Sequence, residues 1–392
     1  EHKEEVIMLQ KLQCRECKTS YEPNIAYFCE ECFGPLEAIY DFDSIHLTRN
    51  EISSRSKNMW RYKELLPLQP QSKIIDLGTG YTTLHKCDNL GKYLGIKELY
   101  IKDDTGNPSA SFKDRPASVA VSKAIENKAK AVGCVSTGNL AAATAAHAAK
   151  AGIPCYIFIP FSIELSKVAQ ISAYNPQIIK VNGTYDDANR LAAEASFALE
   201  WAIVNVNLRP YYVEGSKTLS FEICEQLNWD APDQVIIPMA SGALLCATDR
   251  GFNQFNKIGL VNKSKIKISG AQATGCSPIA DAFKNKLDDV IPVREPKTIA
   301  KSLAIGDPAD GPDALKVINN SGGYAESVTD TEIKNAISLL AKTEGIFTEP
   351  AGAVTIASLI KLVKAGKIEK DEKIVCFVTG NGLKSPESVK EE

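Results

Sequence analysis

From residue 99 to residue 378, short apolar runs alternate with longer amphipathic stretches. The runs at 99–102, 131–135, 155–159, 177–181, 235–237, 265–269 and 373–378 are built largely from Val, Ile and aromatic residues and predict β-strands. The stretches 116–130, 140–151, 186–202 and 215–227 have helical length. Strand, helix, strand in this order predicts parallel sheets with helices on both faces. Thr329-Asp-Thr-Glu332 reads as a capping box that opens a helix running to Lys342, and Gly152 as the stop of the helix before it. The alternation covers roughly 300 residues, more than one ordinary core holds, so two α/β domains with a cleft between them are expected.

The first 77 residues break the pattern. Residues 41–77 are polar, carry Trp60 and the Pro67/Pro70 pair, and read as a helical connector. Residues 1–40 form a separate unit around Cys14-x-x-Cys17 and Cys29-x-x-Cys32. Each pair can set two thiolates on one tight knuckle, and two knuckles complete a tetrahedral zinc site. With all four positions Cys there is no open coordination place, so the metal is expected to be structural. Disulfides are the rival reading.

Charge decides what such a ribbon is for. Lys11, Arg15 and Lys18 are outweighed by Glu16, Glu22, Glu30, Glu31 and Glu37, which argues against contacts to nucleic-acid phosphates. The whole chain of 392 residues has net charge −3, so no cationic field draws nucleic acid or anionic lipid. No uninterrupted apolar stretch is long enough to span a bilayer, and the N-terminal residues Glu1-His-Lys-Glu-Glu5 are charged throughout, unlike a secretory signal. Of the eleven cysteines, seven are scattered, mostly inside apolar runs, as in a reducing compartment; a cytoplasmic protein is expected.

Candidate chemistry collects where strands end. Ser136-Thr-Gly-Asn139 joins the 131–135 strand to an Ala-rich helix, at the carboxyl edge where parallel sheets bind ligands. Helix-start amides there can hold an anion, although Ser, Thr and Asn also serve any N-cap. Met239-Ala-Ser-Gly-Ala243 follows the 235–237 strand, and its small residues let backbone close round a phosphate. Thr379 ends the last strand within Thr379-Gly-Asn-Gly-Leu-Lys384 and offers one neutral hydroxyl. Lys113 stands in Ser111-Phe-Lys-Asp-Arg115 at the mouth of a helix. Most lysines are solvated charges, and Asp114 with Arg115 reads equally as an exposed pair. His147, in mid-helix, reads as packed. No nucleotide-binding glycine loop and no Gly-x-Ser-x-Gly elbow is present.

Together, Ser111-Phe-Lys-Asp-Arg115, the Ser-Thr-Gly-Asn turn, Glu214-Gly-Ser-Lys-Thr218 and Thr379-Gly-Asn-Gly-Leu-Lys384 resemble the threonine synthases, fold-type II pyridoxal-phosphate enzymes. The four-Cys ribbon also occurs in some members. The likeness runs from about Leu77 to Pro386, plus the ribbon. It implies a tryptophan-synthase-β-like architecture of two parallel-sheet α/β domains behind a zinc ribbon. The domains would be 1–40 (ribbon), 41–107 (connector and start of the large domain), 108–210 (small mobile domain) and 211–392 (large cofactor domain), in a homodimer.

The resemblance also assigns roles. Lys113 would hold pyridoxal phosphate covalently as a Schiff base and then shuttle protons, with Asn139 on the ring oxygen. Met239, Ala240, Ser241, Gly242 and Ala243 would cradle the phosphate, and Thr379 would face the pyridine nitrogen. The implied reaction converts O-phospho-L-homoserine and water to L-threonine and phosphate. Ser136 and Thr137 would meet the substrate carboxylate.

Four departures from the family pattern bear on substrate. Leu140 replaces Thr after the turn asparagine, and the phosphate loop lacks its two Asn. Thr82-Thr-Leu84 stands for Thr-Pro-Leu, and the Asn, Ser and Arg usual before Glu214 are rearranged, so that Arg209 or Lys217 would take the substrate phosphate. The alternatives are cysteate synthase or threonine dehydratase on the same fold and, more remotely, a non-catalytic zinc-ribbon interaction protein.

Overall fold

The computed structural model describes residues 9–24, 28–161, 169–262 and 265–389. The described residues carry strands β1 (Leu9–Cys14), β2 (Ser20–Tyr21), β3 (Leu36–Tyr40), β4 (Leu84–Lys86), β5 (Glu98–Asp103), β6 (Ala131–Val135), β7 (Cys155–Pro160), β8 (Gln177–Val181), β9 (Trp201–Ile203), β10 (Gln234–Pro238), β11 (Lys267–Ala273), β12 (Ala325–Val328) and β13 (Lys373–Val378). The chain divides into two compact units. One is Glu1–Gly80 with Lys113–Thr218; the other is Tyr81–Phe112 with Leu219–Glu392.

The first unit holds two sheets. The ribbon sheet is antiparallel, in the order β2-β1-β3, with Leu12 opposite Tyr21 on one side and Ala38 on the other. The second sheet is parallel throughout, in the order β8-β7-β6-β9. Its central strand β6 is buried at every position, which is why Ala-Val-Gly-Cys-Val reads as an unbroken apolar run rather than an alternating one. Gly133 has no room for a side chain: a Cβ there would lie 2.5 Å from the Tyr156 carbonyl of β7. The helix Asn139–Ala151 forms because eight of its thirteen residues are alanine, the best helix former, and it stops at Gly152 in the left-handed region at φ 72°. Val135, Phe158 and Ile203 pack with Ala188 and Ala192 of the helix Tyr185–Leu199 as this sheet's core.

The second unit is built on a six-stranded sheet, β12-β11-β10-β13-β5-β4, in which only edge strand β4 is antiparallel. Its core joins Leu99, Ile101, Ile236, Ile374 and Val378 of the strands to Val354, Ile356 and Leu359 of the helix Pro350–Lys364. Burying each such side chain contributes roughly 1.5–3 kcal/mol. The box at Thr329 is formed as the sequence predicts: its hydroxyl accepts from Glu332 N, and the Glu332 carboxylate accepts from Thr329 N at 2.7 Å. Among the described residues no helix is long and apolar enough to cross a membrane.

Several elements differ from their sequence-based expectation. The strand expected at 265–269 runs instead from Lys267 to Ala273, because Gly270-Ala-Gln-Ala273 is buried between β10 and β12 despite weak strand character. The helix expected to reach 202 ends at Leu199; Glu200 turns left-handed at φ 57° and Trp201–Ile203 becomes β9. The helix expected over 215–227 is two, Arg209–Ser216 and Thr218–Gln226, separated at Lys217. The connector contains a short helix, Arg49–Ser54, and a 3-10 segment, Met59–Leu65, whose Trp60 indole donates to Ser118 at 2.9 Å.

Candidate active site

In the first unit, Lys113 immediately precedes the helix Asp114–Glu126 and is half-buried. The two residues after it are not a solvated pair: Asp114 and Arg115 are each 0% exposed. Arg115 donates to the Thr218 hydroxyl at 3.0 Å, and Asp114 lies 3.7 Å from His147. The Lys113 amine donates to the phenol oxygen of Tyr212 at 2.5 Å. Its charge is also felt at the end of β6. Burial pushes the Cys134 thiol up to about 12, with a Thr144 hydrogen bond and then the nearby Lys113 charge pulling the other way.

Beyond β6, Ser136 and Thr137 are half-buried, Gly138 is exposed, and Asn139 is the first residue of its helix. With glycine as N-cap, this helix start is not closed by a side chain of its own cap residue; Ser136 Oγ accepts from Gly138 N at 3.2 Å. The arrangement leaves the turn suited to an external acceptor, which is how helix starts receive anions. His147 sits deeper in the same helix. Its Nδ1 donates to the Ala143 carbonyl at 2.9 Å, so Nε2 accepts from the Thr79 hydroxyl at 3.2 Å. Burial lowers its pKa, and the ring is a packed neutral base, as its mid-helix position predicts.

The two candidates for the substrate phosphate part company. Arg209 opens the helix Arg209–Ser216 and is half-buried. Lys217 is fully buried, its amine 2.5 Å from Glu214 Oε2 and 4.1 Å from the centre of the Tyr40 ring. That ammonium already has its carboxylate.

In the second unit, residues 239–243 link β10 to the helix Ala243–Lys257. Gly242 caps that helix at φ 94°, and a Cβ there would lie 2.7 Å from the Asp310 carbonyl, so only glycine fits. This helix start has no side chain on its cap residue, although Ser241 Oγ accepts from Ala243 N at 3.4 Å, and the small residues 240–243 suit the phosphate of pyridoxal phosphate. One feature opposes it: Ser241 Oγ donates to the Asp310 carboxylate at 3.3 Å, placing an acid beside the cradle. Thr379, at the end of β13, is buried, and its carbonyl accepts from Phe112 N at 2.9 Å. Asn381 N donates to Ala110 O at 3.0 Å, and the Lys384 amine to Ser109 O at 2.8 Å. The segment just before Lys113 is therefore stitched to the Thr379–Lys384 stretch. A Cβ at Gly380 would lie 2.3 Å from the Glu349 carboxylate, so a larger residue there would displace that side chain.

The four ribbon thiols Cys14, Cys17, Cys29 and Cys32 all lie within 4.8 Å of one another, with Sγ–Sγ distances of 3.5 Å for Cys14–Cys32 and 3.3 Å for Cys17–Cys29. Four thiolates around one tetrahedral ion at the usual metal–sulfur distance stand about 3.8 Å apart. All four are free, and their spacing is compatible with a metal knuckle pair. A Cβ on Gly34 would sit 2.9 Å from Cys14 Sγ and 3.2 Å from Cys32 Sγ, so glycine keeps the thiol cluster open. The Thr19 hydroxyl and amide bring Cys17 down to about 6, whereas Cys32 is pushed up to about 12, the Gly34 amide lowering it but the Cys17 and Cys14 thiols outweighing that.

The sequence reading missed Tyr212. Nothing in local spacing ties it to a lysine 99 positions earlier; the only clue was its place two residues before Glu214 in a singled-out motif.

Comparison with known proteins agrees with this geometry. Residues 75–380 match the pyridoxal-phosphate dependent enzyme family. The threonine synthase of Methanocaldococcus jannaschii is 44% identical over 97% of this chain and 94% of its own length. That of Methanosarcina acetivorans is 39% identical over 96% and 93%. Among solved structures, maize serine racemase superposes with a TM-score of 0.65 at 24% identity, covering 77% of this chain and 88% of that one, a likeness of fold alone. The chain belongs to the pyridoxal-phosphate dependent enzymes and, within them, to the threonine synthase family.

Proposed function

We propose that this protein is a threonine synthase: it converts O-phospho-L-homoserine and water to L-threonine and phosphate. The observation that carries the reading is the half-buried Lys113, set ahead of a buried Asp-Arg pair, in a chain 44% identical to a threonine synthase along nearly its whole length. Pyridoxal phosphate, when bound, supplies the electron sink that makes the α proton of an amino acid removable.

Lys113 holds the cofactor and moves protons at the substrate's α, β and γ carbons as the γ carbon–oxygen bond breaks and water adds at the β carbon. Asn139 directs its amide to the ring oxygen, and the amides of 239–243 receive the cofactor phosphate. Thr379 gives the ring nitrogen a neutral partner. Ser136 and Thr137 take the substrate carboxylate. Arg209, half-buried where its helix opens, takes the substrate phosphate; Lys217 is fully buried against Glu214. The ribbon thiols hold one structural zinc, leaving no place for a reactant. We further propose a cytoplasmic homodimer; the eleven free cysteines support the compartment, and light scattering tests the dimer.

Two measurements test the reading. Protein loaded with pyridoxal phosphate shows a visible absorption band that Lys113→Ala abolishes; colourless wild-type protein refutes the enzyme. Phosphate release from phosphohomoserine, and none from phosphoserine with sulfite, separates threonine synthesis from cysteate synthesis.

A further inference from the structure

We propose that Tyr212 is the positioning residue of Lys113, holding its amine for cofactor capture and exchanging a proton with it. The inference rests on the reading of Lys113 as the cofactor lysine and goes beyond it. Three observations carry it.

The first is contact: the phenol oxygen accepts from the lysine amine at 2.5 Å. The second is burial. Tyr212 is 8% exposed, so its hydroxyl is spent within the protein rather than on water. The third is that the helix bearing it, Arg209–Ser216, is pinned along its length. Pro210 opens it, Tyr211 Oη donates to Asn24 O at 2.6 Å, and Glu214 takes hydrogen bonds from Tyr40 and Lys217. Gly215 is pressed so close that a Cβ would lie 2.4 Å from the Arg115 carbonyl. A group that orients another must itself be fixed, and this helix has little freedom to shift.

The chemistry suits the pair. A lysine attacks an aldehyde as the neutral amine, so its ammonium form must first give up a proton. The phenolate of Tyr212 is the acceptor: phenolates and alkylamines are bases of comparable strength in their ordinary states, so ammonium with phenolate passes to amine with phenol at small cost. A carboxylate in the same place would instead hold the ammonium, as Glu214 holds Lys217.

The test is Tyr212→Phe, which removes one oxygen and keeps the ring. Apoprotein is mixed with pyridoxal phosphate, the growth of the visible band is timed, and the band is titrated with pH. We expect an unchanged Tm, capture slowed by about ten- to a hundredfold, and a shifted pH midpoint. Tyr212→His, which returns a hydrogen-bonding group, recovers part of the rate. If capture rate and midpoint in Tyr212→Phe equal those of wild type while Lys113→Ala stays colourless, the Tyr212 proposal falls and the enzyme reading stands. A lowered Tm in both variants with an unmoved midpoint makes Tyr212 structural only and also overturns it. Colourless wild-type protein removes both.

Discussion

Lys113 and Lys217 both answer to the helix Arg209–Ser216, in opposite ways. Lys217 caps its end, fully buried, with its charge locked against Glu214 and the Tyr40 ring. Lys113 is half-buried and meets the same helix through the hydroxyl of Tyr212. His147, in the same unit, shows a third arrangement: buried, with the charge itself discarded. The difference teaches how one protein sorts its bases. A charge that is to stay is paired, one that would cost too much is neutralised, and Lys113 is left half-buried against a phenol oxygen rather than a carboxylate.

The largest effect that would break this comparison is expected at Lys113. Lys113→Ala should lower turnover of phosphohomoserine by at least about 10²–10⁴-fold with little change in Tm; steady-state phosphate release and calorimetry check both. Lys217→Met should do the reverse. Leaving Glu214 buried without its cation is expected to cost about 3–5 kcal/mol in denaturant unfolding, with the visible band retained. Adding Glu214→Gln should return most of that loss, and if it does not, the pair is not what holds the helix end.

His147 sharpens the comparison through pH. Its folded-state pKa lies below that of the unfolded chain because burial disfavours the imidazolium. The stability tied to its neutral form is thus whole above about pH 6.5 and is lost as pH falls below that toward the folded-state value. Unfolding midpoints measured between pH 7 and pH 5 should decline, and His147→Gln should flatten the slope. The smallest effect is expected for Tyr40→Phe, which removes a hydrogen bond to Glu214 and leaves the ring over Lys217. A cost of about 1.5–3 kcal/mol in chemical denaturation is expected, since the bond is to a charged carboxylate.

What the sequence disclosed follows from the same physics. Where the determinants are neighbours in the chain, the reading was close. The four thiols, the strand-end turns at Asn139, Ser241 and Thr379, and strands β6, β8 and β13 are set by residues a few positions apart. Where an element owes its form to distant packing, the reading slipped. Trp201 and Ala202 looked like the end of a helix because only pairing with β6 makes Trp201–Ile203 a strand. β12, with just four residues, gave no signal and exists because β11 receives it. That Lys217 pairs with Glu214 was equally unreadable, because the two meet only when the helix buries both. Tyr212 was hidden for the reason given by its separation from Lys113.

The stitching of residues 109–112 to 379–384 carries a consequence for biosynthesis. The segment that presents Lys113 borrows its hydrogen bonds from a stretch made some 270 residues later (Lys384 to Ser109 spans 275 positions). During translation the lysine emerges early, with nothing yet made to hold its approach. Fixing of residues 109–112 therefore waits for the last strand and the turn after it, and a chain cut before Thr379 would carry Lys113 without the hydrogen bonds that hold the residues before it.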